Sequence, residues 1–260
     1  MIIYDKMNNI KESNYIIAEI DIKEEDINKA IRIINSFENS NIGKDTNDDN
    51  IGKSFYENEK EIKESCEIKI NDEIIPFSYF YQFKEKRKYI IKYSFKHYLS
   101  KTNHLFIFCK NLISIDMSNF KSQNIINTRA MFSGCESLIN INLSNFNTKN
   151  VFNIKYMFCD CKSLINLNLL NFNTQNVTDM SGMFYGCNSL TNLNLSNFIT
   201  KNAINMSCMF YGCEALTKLD LSNFITQNPI NLSNIFSGCN SLTKDNVIIK
   251  DKNIIKQFEN

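Results

Sequence analysis

The chain has 260 residues, 29 of them basic and 28 acidic for a formal charge of +1, and 43% are hydrophobic and 12% aromatic. That much apolar material buries a core, which excludes a wholly disordered chain, and the length leaves room for one large or two modest domains. Charges so nearly balanced exclude the clustered basic field that gives nucleic-acid and membrane-surface proteins their counterion-release energy, so no nucleic acid is expected as a partner.

At the start, Met1 to Lys11 alternate apolar with charged groups, which is not a secretory signal. No run approaches the roughly 20 uncharged residues of a spanning helix, so no transmembrane segment is expected. The nine cysteines, without an export signal, read as reduced thiols in a cytoplasmic protein.

Residues 1–102 do not repeat and read as a mainly β N-terminal region and cap. Tyr15 to Ile22, Cys66 to Ile70, Ile74 to Phe83 and Tyr89 to Phe95 read as strands, the last two joined by a hairpin-like turn at Lys84 to Lys88. The stretches Ser36 to Lys53 and Glu57 to Glu67 are polar and charged and read as loop. Between them and the first strand, Ile27, Ile31 and Ile34 suit a helix while Ile31 and Ile33 suit a strand, and Glu24 to Phe37 is taken as helix.

From residue 103 the chain repeats. Cys109, Cys135, Cys161, Cys187, Cys213 and Cys239 recur every 26 residues, in step with a Leu column from Leu112 to Leu242 and Phe columns starting at Phe106 and Phe120. Such a period marks stacked units, each too small to bury its apolar face alone. Within a unit, Leu193 and Leu195 alternate with Asn192, Asn194 and Ser196, the pattern of a short strand with one buried face. Val177, Met180, Met183 and Phe184 then follow at spacings of three and four, predicting a short helical turn capped by Asn176. The same Asn recurs at Asn124, Asn150, Asn202 and Asn228, with Pro229 at a first helical position. Gly134, Gly186, Gly212 and Gly238 would close the turn, with Asp160 in place of the glycine in one unit. After Leu242 the pattern ends, Asp245 stands where Leu is expected, and residues 245–260 read as a C-terminal cap. The units then occupy residues 103–244.

The repeated residues offer chemistry of several kinds. One cysteine per unit forms a line, and a line cannot surround a tetrahedral ion, so the column reads as buried thiols and no metal or cofactor is expected. His97 and His104 at the junction have no nucleophile or carboxylate set around them, so no catalytic residues are named and no enzyme is expected. The Thr148, Thr174, Thr200 and Thr226 row could be an ice-binding array, but one Thr per unit beside the alternating Gln123, Lys149, Gln175, Lys201 and Gln227 reads better as stacking.

The Leu-x-x-Leu-x-Leu core with Met183-Phe184-Tyr185-Gly186-Cys187-Asn188-Ser189-Leu190 resembles the BspA-like leucine-rich repeat family, a 26-residue repeat of bacterial surface proteins that also occurs in protozoa. The resemblance implies an α/β solenoid of short parallel strands and short helical turns, used for protein binding or adhesion, with no shared catalytic residues. It also implies a cell-surface location, against the cytoplasmic one that the missing export signal suggests.

The polar face of the strands is then the candidate contact surface, carrying Asp116, Asn140, Asn142, Asn166, Asn168, Asn192, Asn194, Lys218 and Asp220. On a concave side these groups suit a protein partner, and with so little charge the contact should depend weakly on salt. The alternative is an adhesive or structural surface protein that works by self-association or host contact.

Overall fold

The computed structural model describes residues 14–34, 58–226 and 230–258. The readings made on Met1 to Lys11, on Ser36 to Lys53 and on Gln227, Asn228 and Pro229 lie outside the described residues.

The N-terminal region builds a sheet around β1 (Tyr15–Asp21), whose Ile16, Ala18 and Ile20 alternate into the core. On one side β1 pairs antiparallel with β6 (Lys88–Phe95), which pairs in turn with β3 (Cys66–Ile70), and β3 with β4 (Glu73–Ile75). On its other side β1 pairs antiparallel with β7 (Leu112–Asp116), the first strand of the repeats, and β8 (Asn140–Asn142) adds to β7 in parallel. One sheet of order β4-β3-β6-β1-β7-β8 thus runs from the N-terminal region into the second unit.

Three sequence readings change here. Glu24 to Phe37 is not a helix among its described residues: a single 3-10 turn at Glu24–Asp26 gives way to the short strand β2 (Ala30–Arg32), with Ile31, Ile33 and Ile34 all buried. Ile74 to Phe83 is not one strand, because Pro76 has no amide to give the ladder. Its end becomes β5 (Phe80–Gln82), which pairs with β2 in a separate two-stranded sheet, so β5 and β6 form no hairpin. The polar stretch after Glu57 contains a helix, α1 (Glu59–Ser65), anchored by the buried Ile62.

In the repeats, β9 (Asn166–Leu167) and β10 (Asn192–Leu193) pair in parallel, as do β11 (Leu219–Leu221) and β12 (Val247–Ile249). Partners are 26 residues apart at Asn166 and Asn192, but Leu219 meets Val247, because the 3-10 turn Lys244–Asn246 delays the last strand by two residues. This accounts for Asp245 at the leucine position. After β12, Asp251 caps the short helix α2 (Lys252–Ile255) by accepting the amides of Asn253 and Ile254.

The apolar columns stack. Phe106, Phe132, Phe158, Phe184, Phe210 and Phe236 lie ring over ring at 5.7 to 6.0 Å with nearly parallel planes, and Phe258 closes that column at 4.2 Å from Phe236. In the column, Cys135, Cys161, Cys187, Cys213 and Cys239 each point Sγ at the carbonyl of the Phe in the unit before, at 2.9 to 3.2 Å. Burial holds these thiols above their ordinary range, to about 11 for Cys239 at the last unit, so they are small hydrogen-bonded core groups. Thr148, Thr174 and Thr200 are buried too, each hydroxyl donating to a carbonyl of the next unit and accepting that unit's amide. A threonine row used in this way presents no face to solvent.

The predicted helical turn is not a helix. Between Thr178 and Gly186 alternate amides leave the unit: those of Met180, Gly182, Phe184 and Gly186 donate to Asn205, Ser207, Met209 and Tyr211 of the next. The amides that alternate with them, at Met183, Tyr185 and Cys187, close four-residue turns instead, donating to the carbonyls of Met180, Gly182 and Phe184. Two residues per unit take positive φ to make this possible, at the positions of Tyr156, Gly182 and Cys208 and at those of Asp160, Gly186 and Gly212. The predicted caps consequently do something else: Asn150, Asn176 and Asn202 donate through Nδ2 to backbone carbonyls of the preceding unit at 2.8 to 2.9 Å. The described chain is therefore a set of small sheets with few helices and no closed barrel, its repeats tied unit to unit.

Candidate partner-binding groove

All nine residues singled out on the strands line two grooves that meet. The first, of about 630 Å³, runs from Asp116 through Asn140, Asn142, Asn166 and Asn168 to Asn192 and Asn194. The second, of about 390 Å³, starts at the same Asn192 and Asn194 and continues to Lys218 and Asp220. Successive parallel strands carry these side chains outward because their leucines and isoleucines turn the other way, into the stack.

The nine are not equivalent. In Asp116, Asn142, Asn168, Asn194 and Asp220 one Oδ1 accepts the amide two residues on, from Ser118, Ser144, Leu170, Ser196 and Ser222, at 2.8 to 3.1 Å. These side chains end the strand by folding the chain back on itself. Asn142 also donates Nδ2 to Asp116 at 3.0 Å. Hydrogen bonds from Ser222 hold the Asp220 carboxyl below its ordinary value, so it is a structural acceptor as well as a surface charge. Asn140 and Asn166, by contrast, are exposed and spend no side-chain group within the described residues.

Sequence reasoning missed the apolar part of the groove. Ile17 and Glu19 of β1 and Ile90 of β6 form one end, and Ile248 of β12 lies at the other. Ile90 is 45% exposed, Leu170 in the middle 53% and Ile248 58%, so the amide rows run beside bare aliphatic side chains. Leu170 had a signal: it stands where neighbouring units have Ser144 and Ser196. Ile17 and Ile90 had none, since only the pairing of β1 with β7 brings them there. Glu19 is held by Lys88 at 3.2 Å and accepts from Ser114, so its charge is locally matched.

The other candidates lie elsewhere. His104 is buried at positive φ, its pKa pushed down to about 3 by burial and by Arg129, so it stays neutral at ordinary pH. Among the described residues no three His, Cys, Asp or Glu side chains come together as metal ligands would, and no helix is long and apolar enough to cross a membrane.

The profile of a family described as Mycoplasma protein of unknown function, DUF285, matches residues 100–217 and, overlapping them, 163–258. Together these matches cover more than half of the chain. The chain belongs to the DUF285 family. In DUF285 terms the match takes in every repeat unit, the groove from Asp116 to Asp220 and the C-terminal strand and helix, and leaves out β1 to β6. No curated protein and no solved structure matches the chain.

Proposed function

We propose that this DUF285 protein is a capped leucine-rich solenoid, of the BspA-like kind that its repeat resembles, and that it binds a protein partner through the strand-face groove without catalysing a reaction. The observation that carries the reading is that all nine outward residues fall on two joined grooves, while elsewhere in the units the cysteine, threonine and asparagine columns are spent on the neighbouring unit. A surface that bonds only to itself would leave no free carboxamides, and Asn140 and Asn166 are free. Charge is sparse along the groove, with Lys218 against Asp116, Asp220 and the Lys88-paired Glu19, so shape and hydrogen bonds are the main source of affinity.

The test replaces Asn140→Lys and Asn166→Lys together, because neither side chain supports the fold. Affinity capture with the full chain should lose a discrete partner in the variant while the thermal midpoint stays within about 2 °C. Identical partner sets from both proteins would remove the groove as the contact surface.

A second reading, adhesion or self-association at the cell surface, draws on a different face. Ile199, Ile204 and Ile225 are 45%, 63% and 59% exposed on successive units, away from the groove. Protease cleavage of the protein on intact cells would support it, and full protection would defeat it.

A further inference from the structure

One row of the groove has its hydrogen-bonding character fixed by the fold. A backbone amide can only donate, so the amides of Ser144, Leu170 and Ser196 hold the carboxamide oxygens of Asn142, Asn168 and Asn194 against the strand ends. The Nδ2 groups of all three must then face outward. Those of Asn168 and Asn194 donate to nothing among the described residues, and Asn142 keeps one hydrogen beyond its bond to Asp116. Three consecutive units thus present a row of donors at steps of about 4.8 Å.

A ligand for such a row must offer acceptors along it. Glycans carry a donor on every hydroxyl, and few free oxygens, those of the neighbouring Asn140 and Asn166 among them, lie beside the row to take them, so much of their surface would be left unmatched along it. A β-strand peptide repeats its carbonyls on one edge at about 6.8 Å, which matches neither one unit nor two. A polyproline II helix advances about 9.3 Å per three-residue turn, close to the roughly 9.6 Å of two units. When built of proline it has carbonyls and no amide hydrogens. Ile90, Leu170 and Ile248 supply aliphatic surface along the same line for pyrrolidine rings.

We propose that the groove takes an extended, uncharged, proline-rich peptide segment of the partner, lying across the strands in polyproline II form, with carbonyls three residues apart on the outward Nδ2 groups of Asn142 and Asn194, two units apart. The proposal rests on the binding role assigned to this groove above.

The fold itself supplies a clean test. Asp116 and Asp220 sit in the same column as the three asparagines and make the same turn to the amide two residues on. Asn168→Asp and Asn194→Asp therefore keep the turn and exchange the outward donor for a carboxylate oxygen, and Asn168→Asp, in the skipped unit, adds the same charge without touching a contacting donor. Fluorescence anisotropy with labelled nonaproline and the full chain should show saturable binding that changes less than about threefold between 0.05 and 0.5 M salt. Asn194→Asp should raise the dissociation constant at least about tenfold and Asn168→Asp less than about threefold, with the thermal midpoint kept within about 2 °C in both.

Nonaproline binding to the Asn194→Asp variant as to the parent, or equal losses in both variants, would overturn the donor-row assignment. Cellohexaose binding in place of nonaproline would replace the peptide by a glycan. If neither probe binds while Asn140→Lys and Asn166→Lys still abolish partner capture, the proline-rich assignment falls and the groove reading stands. If capture also survives those substitutions, both fall.

Discussion

Two halves of this molecule hold together by different rules. In the N-terminal region Tyr15 pairs with Ser94 and Ile17 with Asp116, strand to strand across most of the described length, and no spacing recurs. In the repeats the bonds between units join residues 25 to 29 apart, and the same bond is made again in each unit: cysteine to carbonyl, threonine to amide, asparagine to carbonyl. The first arrangement is closed by tertiary pairing and the second by nearest neighbours, so damage should remain global in one and stay local in the other.

The sharpest way to break that contrast is to remove one ring from the middle of the stack. Phe158 lies fully buried, 5.7 Å from Phe132 and 6.0 Å from Phe184. Phe158→Ala should cost about 3–5 kcal/mol in denaturant unfolding. Native-state hydrogen exchange should show the loss of protection concentrated in the units on either side, with β3 and β6 keeping theirs. Uniform loss across the chain would mean that the repeats and the N-terminal sheet unfold as one.

A smaller effect tests the turn segment. A Cβ on Gly182 would lie 2.1 Å from Cε1 of Tyr156, whose ring covers that glycine, at a φ of +57°. Gly182→Ala should cost about 2–4 kcal/mol, left-handed backbone and displaced ring together. Gly212 has a similar φ of +69° but meets nothing closer than 3.6 Å, so Gly212→Ala should cost only about 1–2 kcal/mol. In a Tyr156→Ala background the two glycines should become equivalent by thermal melting. A persistent difference would place the cost in the backbone rather than the ring.

These glycines also mark what the sequence could and could not disclose. Periodicity exposes every buried column, because a side chain that must touch its own copy in the next unit cannot vary freely. It does not tell a helix from successive turns, since Met180, Met183 and Phe184 face the core in both. The deciding feature is a positive φ at Tyr156 and Cys208, residues that seldom adopt it. The groove was half legible. Alternation places Asn140 and Asn142 on one face, yet the same residue type is free at the first and tied to its own backbone at the second. Ile17 and Ile90 enter only through long-range pairing, which leaves no local pattern.

The end of the stack offers an intermediate test. Asp251 receives the Thr226 amide at 2.8 Å and its hydroxyl at 2.9 Å, closing the threonine row while capping α2. Burial acts to raise its pKa, but the bonds from Thr226, Asn253 and Ile254 prevail and hold it below the ordinary value. Asp251→Ala should cost about 1–2 kcal/mol by denaturant unfolding and should fray the last unit first in hydrogen exchange. Equal protection of the last and middle units in the variant would show that this contact does not seal the end.

The smallest expected effect separates surface bonding from column packing. Glu136 accepts Lys110 of the unit before at 2.8 Å and Lys162 of the unit after at 3.2 Å, a charge ladder on the rim of the stack. The hydrogen bond from Lys110 leads in holding the Glu136 carboxyl below the ordinary glutamate value. A carboxyl whose folded pKa is depressed contributes stability above its unfolded pKa, roughly 4.3, and loses that contribution as the pH falls through the folded value. Both lysines are half exposed or more, so at neutral pH Glu136→Gln should cost under about 1 kcal/mol. The difference between parent and variant should shrink in about 0.5 M salt and vanish below the folded pKa, read as converging denaturation midpoints. A cost that persists unchanged in acid would assign Glu136 to packing between units, and the rim would then obey the same rule as the buried columns.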